Sequence, residues 1–550
     1  MKKLLLALWA LVFVSTAQAQ PQVGLHYNSL QSFNGYTAFS SYNGDTVYLI
    51  DNCGKLVHKW MCSERSLRNP VYILPNGDLV YAGKVSTEFA SGAGLLAQID
   101  WNSQPKWSFT IADSTEAAHH GYVPMPNGNI LAVVWEKKSV AEQIAAGRDS
   151  SSVAGELWSE KVVEISPAGG STKIVWEWKL WDHLIQNIDP ALANYGDVRS
   201  HPELLDANLL PGYTGSWAHI NSIDYNPVLD QILLCSRNFN ELFIIDHSTT
   251  TAEAAGHTGG IQGKGGDFLY RWGNPANYQR GGSADQHLFR PHDGHWVAAG
   301  NPDAGKIIVF NNGDSRPGPK YSTVEIIEPP LLSDQSYQLV TDSAYLPKHP
   351  DWIYPKVPDT NFYSATQGSA QVLPNGNVLI AESNTGEFIE VERNGHIVWS
   401  YVCPVNPSGI ITQGTATGDN SVFMIRRYAE NYSGFTGRTL TPGDPIEINP
   451  LPYNCTIVKV DVDELEQSAF SWEAFPNPAT DKIQIRIATP LQQPVNIALT
   501  DLSGRKVLKQ QLDFSKSTTA ELSVEGIAPG VYLLELEGKA TKLHSKIIVQ

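Results

Sequence analysis

Short strands separated by turns dominate the hydrophobic pattern of the chain. Three segments share one plan, a strand, a Pro-Asn-Gly turn and a second strand: "VYILPNGDLVYAG" (71–83), "GYVPMPNGNILAVVWE" (121–136) and "SAQVLPNGNVLIAES" (369–383). Asn-Gly readily adopts the positive φ angles of a tight hairpin. Further strands, several containing tryptophan, follow each hairpin, as in "GHIVWSY". A four-stranded unit that recurs roughly every 40 to 60 residues is typical of a β-propeller blade.

The repeats predict an all-β fold, a six-bladed β-propeller followed by a small C-terminal β-sandwich. Blades begin near residues 69, 119, 219, 292 and 368. The N-terminal strands (37–60) pair with "NSVFMIRRY" (420–428) as the sixth blade, which closes the ring and removes exposed edges. Seven blades is the alternative count. Helical insertions are expected around 138–150 and 180–194.

The two ends of the chain differ from the repeat region. Residues 1–19 are typical of a secretory signal, because two lysines precede an apolar run that ends in "AQA". From about residue 472, strict alternation between Gly and Pro turns predicts the separate β-sandwich. We therefore expect a signal peptide (1–19), a propeller (20–465) and a C-terminal domain (473–550). No later run is long and apolar enough for a membrane-spanning helix.

The charge balance limits the partners of the protein. A net charge of -17 argues against nucleic acid, whose phosphates require a basic surface. An anion site would have to be built locally from arginine and from the 15 histidines. The glycine-rich segment "GHTGGIQGKGGD" (256–267) lacks the fixed pattern of a phosphate-binding loop, and we expect no cofactor.

Five cysteines are present in a chain that the signal sequence would export. Because an exported protein meets oxidising conditions, nearby thiols are expected to pair. We predict disulfides Cys53–Cys62 and Cys403–Cys455, and a free buried thiol at Cys235. No C-x-x-C motif is present, so we expect no cysteine zinc site, and no metal site is predicted.

Three histidines stand at equivalent places in the repeats. His120, His219 and His292 each lie near the start of the first strand of a blade. First strands line the channel of a propeller, so these side chains should converge at one rim. Because neighbours in a strand face opposite sides, only one of His119 and His120 should face the channel, and His295 should point away from His292. For any one of these histidines alone, a structural role with a hydrogen bond to a backbone carbonyl is the commoner interpretation.

Arginines follow two of these histidines. Arg316 ends the strand after His292, and Arg237 follows His219. A guanidinium binds sulfonate or phosphate oxygens in bidentate fashion, and neutral imidazole is a nucleophile or base near pH 7. The set favours sulfuryl or phosphoryl transfer, although Arg237 could instead be a structural partner of a carboxylate.

Four motifs together resemble the bacterial arylsulfotransferases over roughly residues 35–460. They are "HHGYVPMPNGNILAVVWE", "WAHINSIDYNPVLDQILLCSRN", "RPHDGHWVAAGNPDAGKIIVFNNGDSR" and "RRYAENY". The resemblance implies a six-bladed propeller that transfers a sulfuryl group from an aryl sulfate to a phenol without a nucleotide donor. It makes His219 and His292 active-site histidines and Arg316 an oxyanion binder, with His120 and Arg237 expected to contact substrate.

The chain departs from this family in the last blade. The segment "LIAESNTGEFIEV" lacks the histidine that the family sulfates, and Glu387 or a neighbour is expected in its place, while His396 falls at a turn. Alternatives are therefore a nucleophilic His219 or His292, direct transfer, aryl sulfate hydrolysis, or a surface propeller that binds an anion or glycan without catalysis.

The C-terminal region resembles the sorting domain of type IX secretion. The motifs are "PNPATD", "DLSGRKV", "GVYLLELE" and "KIIVQ", within roughly 473–550. The resemblance implies contact with the secretion machinery and a secreted or cell-surface location.

Overall fold

The computed structural model describes residues 22–62, 70–85, 89, 94–167, 172–451, 455, 472–487, 494–501, 506–515, 517–537 and 542–549. The predicted signal peptide lies outside these residues. The chain is nearly all-β, with 44% strand and 6% helix. It divides into two units, Met1–Val458 and Lys459–Gln550.

Six antiparallel sheets make up most of the first unit, and each is named here with its strands in spatial order. Sheet 1 contains Val422–Ala429, Gly35–Ser41, Thr46–Ile50 and Leu56–Met61. Sheet 2 contains Val71–Ile73, Leu79–Lys84, Gly94–Ile99 and Pro105–Thr110. Sheet 3 contains Glu116–Pro124, Ile130–Lys138, Leu157–Ser166 and Lys173–Lys179, and Gly215–Ser216 pairs with its third strand.

The remaining sheets of the unit follow the same plan. Sheet 4 contains Ile220–Asn226, Gln231–Ser236, Glu241–Asp246 and Tyr270–Trp272. Sheet 5 contains His292–Trp296, Ile307–Asn311, Thr323–Ile327 and Trp352–Tyr354. Sheet 6 contains Ser369–Val372, Val378–Glu382, Glu387–Val391, Ile397–Val402 and Gly24–Asn28. Two short pairs lie outside these sheets, Leu184–Ile185 with Leu205–Asp206 and Val405–Asn406 with Gly409–Ile410.

Buried apolar clusters join the six sheets in a cycle. One cluster lies between each pair of neighbours, represented by Trp60 and Tyr81 (sheets 1 and 2), Leu96 and Val134 (2 and 3), Val133 and Phe243 (3 and 4), Leu242 and Val309 (4 and 5), Phe310 and Ile380 (5 and 6), and Phe388 and Phe39 (6 and 1). Because sheet 6 packs on sheet 1, every sheet buries both of its faces.

Distant parts of the chain close the cycle. Gly35–Ser41 pairs with Val422–Ala429, which confirms the predicted pairing of the N-terminal strands with 420–428. A second closure was not predicted, because Gly24–Asn28 adds a fifth strand to sheet 6 by pairing with Ile397–Val402. Both closures tie the start of the unit to its end.

The predicted disulfide pairing is wrong. Cys53 is bonded to Cys455, with a Cα–Cα distance of 5.1 Å, and Cys62 and Cys403 are free buried thiols. Cys62 lies in the core between sheets 1 and 2, and Cys403 lies in the core between sheets 6 and 1. The prediction paired cysteines by their order along the chain, whereas the fold places Cys455 beside the turn that carries Cys53. Cys235 is free and buried, as predicted.

Helices are short in the described residues. The α-helices are Val140–Ala145 and Thr251–Ala254, and the 3-10 turns are Leu180–His183, Val198–Ser200, Pro275–Tyr278, Ser283–Asp285 and Ser433–Phe435. Ser139 caps the first helix in a capping box with Glu142. The insertion predicted at 138–150 therefore contains a helix, whereas 180–194 contains a 3-10 turn and the short strand Leu184–Ile185. No helix among the described residues is long and apolar enough to cross a membrane.

The second unit has two antiparallel sheets. One contains Trp472–Phe475, Lys482–Ile487 and Thr519–Ser523, and the other contains Lys506–Leu512, Val495–Asp501, Gly530–Glu537 and Lys542–Val549. The first sheet contributes Ile485 and Leu522, and the second contributes Leu499 and Leu534, to one core. The alternation along Lys482–Ile487 explains this arrangement, because every second side chain is buried.

Candidate functional site

The strands that carry the three predicted histidines are irregular where the histidines lie. His120 and His219 have positive φ angles of 41° and 52°, and Asp293, next to His292, has a φ of 52°. The pairing register shifts at the same places in sheets 3, 4 and 5. A β-bulge bends a strand and redirects its side chains. These bulges therefore set the directions of the histidines.

The structure brings the histidines of sheets 3, 4 and 5 together. The ring centroids of His120 and His219 are 4.6 Å apart, and His120 also lies 6.2 Å from the ring of Phe423 in sheet 1. A positive charge on His292 would lower the pKa of His219, and one on His120 would lower the pKa of His292, so His292 lies near both rings. His120 and His219 thus converge as predicted, and the placement of His292 beside them rests on their electrostatic interaction.

His119 occupies a different environment from its neighbour. Its ring stacks on Trp135 with centroids 3.8 Å apart, and its side chain is buried. Its Nδ1 lies 2.9 Å from Nδ1 of His120. His120 therefore packs against His219, while His119 lies behind it in the core.

Hydrogen bonds fix the orientation of His292. Its Nδ1 lies 2.7 Å from Oδ1 of Asn312 and 3.2 Å from the carbonyl oxygen of Arg290, and both oxygens act as acceptors. Nδ1 therefore carries the proton. Nε2 carries the lone pair and accepts a hydrogen bond from the backbone N–H of Gln367 at 3.2 Å.

His219 is held through its backbone and leaves one ring nitrogen available. Its backbone N–H donates to Oε1 of the buried Glu160 at 2.7 Å. On the ring, Nδ1 lies 3.1 Å from Oγ of Ser216. When Nδ1–H donates to Ser216, Nε2 presents its lone pair, and the residue is only partly buried. His219 therefore offers an accessible imidazole lone pair.

Burial and neighbouring positive charge keep these imidazoles neutral. Burial, together with Arg237, lowers the pKa of His292 to about 3. Burial lowers the pKa of His219 well below its usual value, and the charges of His120, His119 and Arg237 act in the same direction. Burial also raises the pKa of Glu160 to about 8, against the effect of its backbone hydrogen bonds. Near pH 7 the two imidazoles are thus unprotonated, while the carboxyl group of Glu160 is largely protonated.

Two guanidinium groups lie beside the histidines. Nη1 of Arg237 donates to Oδ1 of Asn238 at 3.3 Å, and Nη1 of Arg290 donates to the same oxygen. Burial and the charge of Arg290 lower the pKa of Arg237. The carboxylate of Asp314 is 3.9 Å from Arg237, a weak pairing. Two positive groups that share one neutral acceptor favour an anion between them.

Arg316, predicted to bind an oxyanion, has a different set of described contacts. Its guanidinium lies over the rings of Phe289 and Tyr321, at 4.8 Å and 4.3 Å from their centroids. Its Nε and Nη2 are buried and have no hydrogen-bond partner in the part of the chain that the structure describes. Arg237, in contrast, acts on both His219 and His292. The role predicted for Arg316 stays a prediction.

An axial cavity of about 200 Å³ is lined by the first strands of all six sheets. It contains a buried ion pair in which Nη2 of Arg426 lies 2.8 Å from Oδ1 of Asp293. Burial alone would raise the pKa of Asp293, but the charge of Arg426 holds this pKa at about 2. His295 and Asp224 also line the cavity. The strand-parity argument that turned His295 away from His292 fails, because the bulge at Asp293 breaks the alternation between them.

Sheet 6 supplies no histidine to the group among the described residues. Glu387 lies on the third strand of the sheet rather than the first, and the neighbouring Glu382 has a pKa raised to about 7 by burial and by Glu387. The side chain of His396 is exposed, as expected for a turn. Gln367, just ahead of the first strand of sheet 6, contacts the group instead, because its backbone N–H donates to Nε2 of His292.

Sequence reasoning missed several residues of the site. Arg290, Asn312, Gln367 and Glu160 all contact the histidines or the neighbouring arginines. Arg290 lies two residues before His292 in "FRPHDG". Its position near the start of the same strand could have identified it as a site residue. No feature of the sequence identified Asn312 or Glu160, because strand pairing brings them to the site.

The fold and the site together define a class of protein: an antiparallel β protein in which imidazole and guanidinium groups from different sheets converge. A family model described as arylsulfotransferase (ASST) matches residues 16–431. The chain belongs to the arylsulfotransferase (ASST) family. Family membership supports a sulfotransferase-type function in general.

The C-terminal residues match a second family model. Residues 473–550 form a secretion system C-terminal sorting domain of the type IX system. This domain implies the secretion machinery as a partner and supports secretion or attachment to the cell surface.

Similar solved structures share little sequence with this chain, and a search of curated proteins gave no match. A protein of unknown function from Bacteroides caccae is 11% identical, with a TM-score of 0.36, over 67% of this chain and 93% of that one. A catalytically inactive variant of virginiamycin B lyase from Staphylococcus aureus is 11% identical, with a TM-score of 0.31, over 69% and 88%. Similarities this weak support no further conclusion.

Proposed function

We propose that this protein is an exported, nucleotide-independent sulfotransferase that moves a sulfuryl group from an aryl sulfate ester to a phenol. The observation that carries the proposal is the convergence of imidazoles from three sheets, with those of His219 and His292 held neutral, beside the guanidinium groups of Arg237 and Arg290. Neutral imidazole provides a lone pair for attack on sulfur, and guanidinium groups bind the sulfonate oxygens.

The six sheets would form the six blades of one propeller. The cycle of apolar clusters and a cavity lined by all six first strands support this count. The domain limits 20–465 and 473–550, and a sandwich fold for the second, belong to the same proposal. The three histidines do not line this cavity. They would lie at the rim of the channel, where a small ester could reach the partly buried His219.

His219 is the proposed nucleophile. Its Nε2 lone pair forms an N–S bond while the S–O bond to the aryl oxygen breaks, and the aryl oxide leaves with the bonding pair. The oxygen of the acceptor phenol then forms a new S–O bond as the N–S bond breaks, and the phenol proton passes to solvent. Arg237 and Arg290 stabilise the charge on the sulfonate oxygens in both steps. His120 packs against the His219 ring and keeps it in place.

The proposal is tested with 4-nitrophenyl sulfate and a second phenol. We expect release of nitrophenolate that depends on the added phenol, together with the new aryl sulfate detected by mass spectrometry. Quenching without acceptor should leave one sulfuryl (SO3) group on the peptide that contains His219. Release that is indifferent to the phenol would instead indicate a hydrolase, and calorimetric binding of the ester without release would indicate a binding protein. Either result would overturn the proposal.

A further inference from the structure

A second group of histidines lies away from the channel site, at the glycine-rich segment 256–267. Nδ1 of His183 and Nδ1 of His257 each lie 2.8 Å from Oδ1 of Asp267. The three atoms all fall within 4.8 Å of one another, the one such arrangement of histidine, cysteine or acidic groups found in the described residues. Two imidazole nitrogens thus converge on a single carboxylate oxygen.

Both ring nitrogens of His183 face hydrogen-bond acceptors. The ring is fully buried, and Nε2 lies 2.9 Å from the carbonyl oxygen of Ala254, which only accepts. Nε2 must therefore carry a proton. Nδ1 faces Asp267, whose carboxylate also accepts, so hydrogen bonding on both sides requires a second proton on the same buried ring. A cation between Nδ1 and Asp267 removes this requirement, because Nδ1 then supplies its lone pair.

From this geometry we propose that His183, His257 and Asp267 bind a divalent transition-metal ion of the zinc class. Two imidazole nitrogens and one carboxylate oxygen form a three-residue set that Zn²⁺ accepts, with water as the fourth ligand. The side chain of His257 is 58% exposed, which leaves a path for the ion and for water. This inference is independent of the sulfotransferase proposal.

The surroundings of His183 are those of a metal ligand. A ligating histidine usually donates its other N–H to a carbonyl or carboxylate, which fixes the ring. Here Nε2–H donates to Ala254, and the ring lies parallel to that of Trp178, at an angle of 7°. Nε1 of Trp178 in turn donates to the carbonyl oxygen of Gly266 at 2.7 Å. The lone pair of Nδ1 is therefore aimed at Asp267.

The glycines of the segment allow it to close around the ligands. A Cβ on Gly266 would lie 2.1 Å from the oxygen of Ala254 and 2.6 Å from Nε2 of His183. Gly265 has a φ of 57°, and a Cβ there would lie 2.2 Å from the oxygen of Gly256. Only glycine fits at both positions. Close packing at this site thus explains the glycines at positions 265 and 266.

The ion would link two sheets. His183 follows the last strand of sheet 3, and Asp267 precedes the last strand of sheet 4. Both residues lie on connections between strands, so a bond through a metal would hold these connections together. We expect the bound ion to stabilise the fold, since an ion that binds only the native state adds its binding energy to folding.

The test uses the full-length protein after chelator treatment and dialysis. Co²⁺ is titrated and its visible ligand-field absorption is recorded, and Zn²⁺ is then added in competition and counted by elemental analysis. We expect one equivalent of Co²⁺ in a low-coordinate site, displaced by one equivalent of Zn²⁺. His257→Ala and Asp267→Asn should each weaken binding by more than about 100-fold.

A matched control separates this site from the other histidines of the chain. His396→Ala removes a histidine whose side chain is 69% exposed and which lies outside the cluster, and it should bind like the wild type. Because His257 is exposed, its alanine variant should fold, and circular dichroism checks that it does. Equal metal binding by wild type and both cluster variants, or no binding by any of them, would overturn the proposal.

Discussion

Two groups of histidines in the first unit differ in the charged groups that face them. His219 and His292 lie beside Arg237, and burial and neighbouring charge lower their pKa values, so both rings are neutral and the Nε2 lone pair of His219 can act on an anion. His183 and His257 share the carboxylate of Asp267, which directs the same lone pairs toward a cation. The same side chain therefore serves two chemistries, and the neighbouring charge decides which.

The largest expected effect is the loss of turnover in the arginine-facing group. His219→Ala should lower kcat/KM for 4-nitrophenyl sulfate by about 1,000-fold, because it removes the accessible lone pair that attacks sulfur. Initial rates of nitrophenolate release measure the effect. His201→Ala is the control, since that histidine is exposed and bonded to Glu203, outside both groups. Activity in His219→Ala close to that of the wild type would exclude the residue as nucleophile.

The second expected effect distinguishes the two candidate arginines. Arg237→Ala should raise KM by about 10- to 100-fold, the cost of one charge-assisted hydrogen-bonding group. Arg237→Lys should recover only part of the loss, because lysine keeps the charge but not the planar fork.

Arg316→Ala is the informative comparison, because its described contacts are with Phe289 and Tyr321. We expect Arg316→Ala to raise KM less than Arg237→Ala does in the same assay. A larger rise in KM for Arg316→Ala than for Arg237→Ala would indicate that Arg316 binds the oxyanion, as the family resemblance implies.

The third expected effect is on stability and concerns His119. Burial holds the pKa of His119 well below its usual value, whereas in the unfolded chain the ring takes a proton below about pH 6.5. The unfolded state then binds more protons, so stability falls as the pH drops below that value. His119→Phe keeps an aromatic ring on Trp135 and removes this contribution.

Urea unfolding between about pH 4.5 and 8 measures this contribution. The free energy of unfolding of the wild type should fall more steeply than that of His119→Phe, by about 1.4 kcal/mol per pH unit below about pH 6.5. The values near pH 8 give the reference difference, since the ring is neutral in both states there. Parallel curves would show that the folded protein protonates His119 normally.

Regular repetition made most of the fold predictable from the sequence. The Pro-Asn-Gly hairpins and the alternation of 420–428 were sufficient to pair the ends of the chain correctly. The strand Gly24–Asn28 and the Cys53–Cys455 bond were not predicted, because each depends on a partner about 370 to 400 residues away whose position only the closed cycle of sheets determines.

The candidate site was predictable only in part, for a similar reason. His120, His219 and His292 occupy equivalent places in the repeats, so aligning the repeats singled them out as candidates. The bulge at Asp293 was not visible in the pattern, so the predicted direction of His295 was wrong. The group of His183, His257 and Asp267 spans 84 residues with no motif spacing, and tertiary packing alone assembles it.

The smallest expected effect separates the two groups from each other. Chelator treatment of the wild type should lower its Tm by about 2 to 4 °C, the shift that a loss of about 1 kcal/mol produces in a large domain. Restoring Zn²⁺ should reverse the shift, and His257→Ala should show no shift because it does not hold the ion. The initial rate of nitrophenolate release by the chelated wild type should stay within about twofold, since the proposed sulfuryl transfer uses imidazole and guanidinium groups alone. A chelator that abolishes turnover while leaving the Tm unchanged would mean that the cation serves the arginine-facing histidines, and the contrast between the two groups would fail.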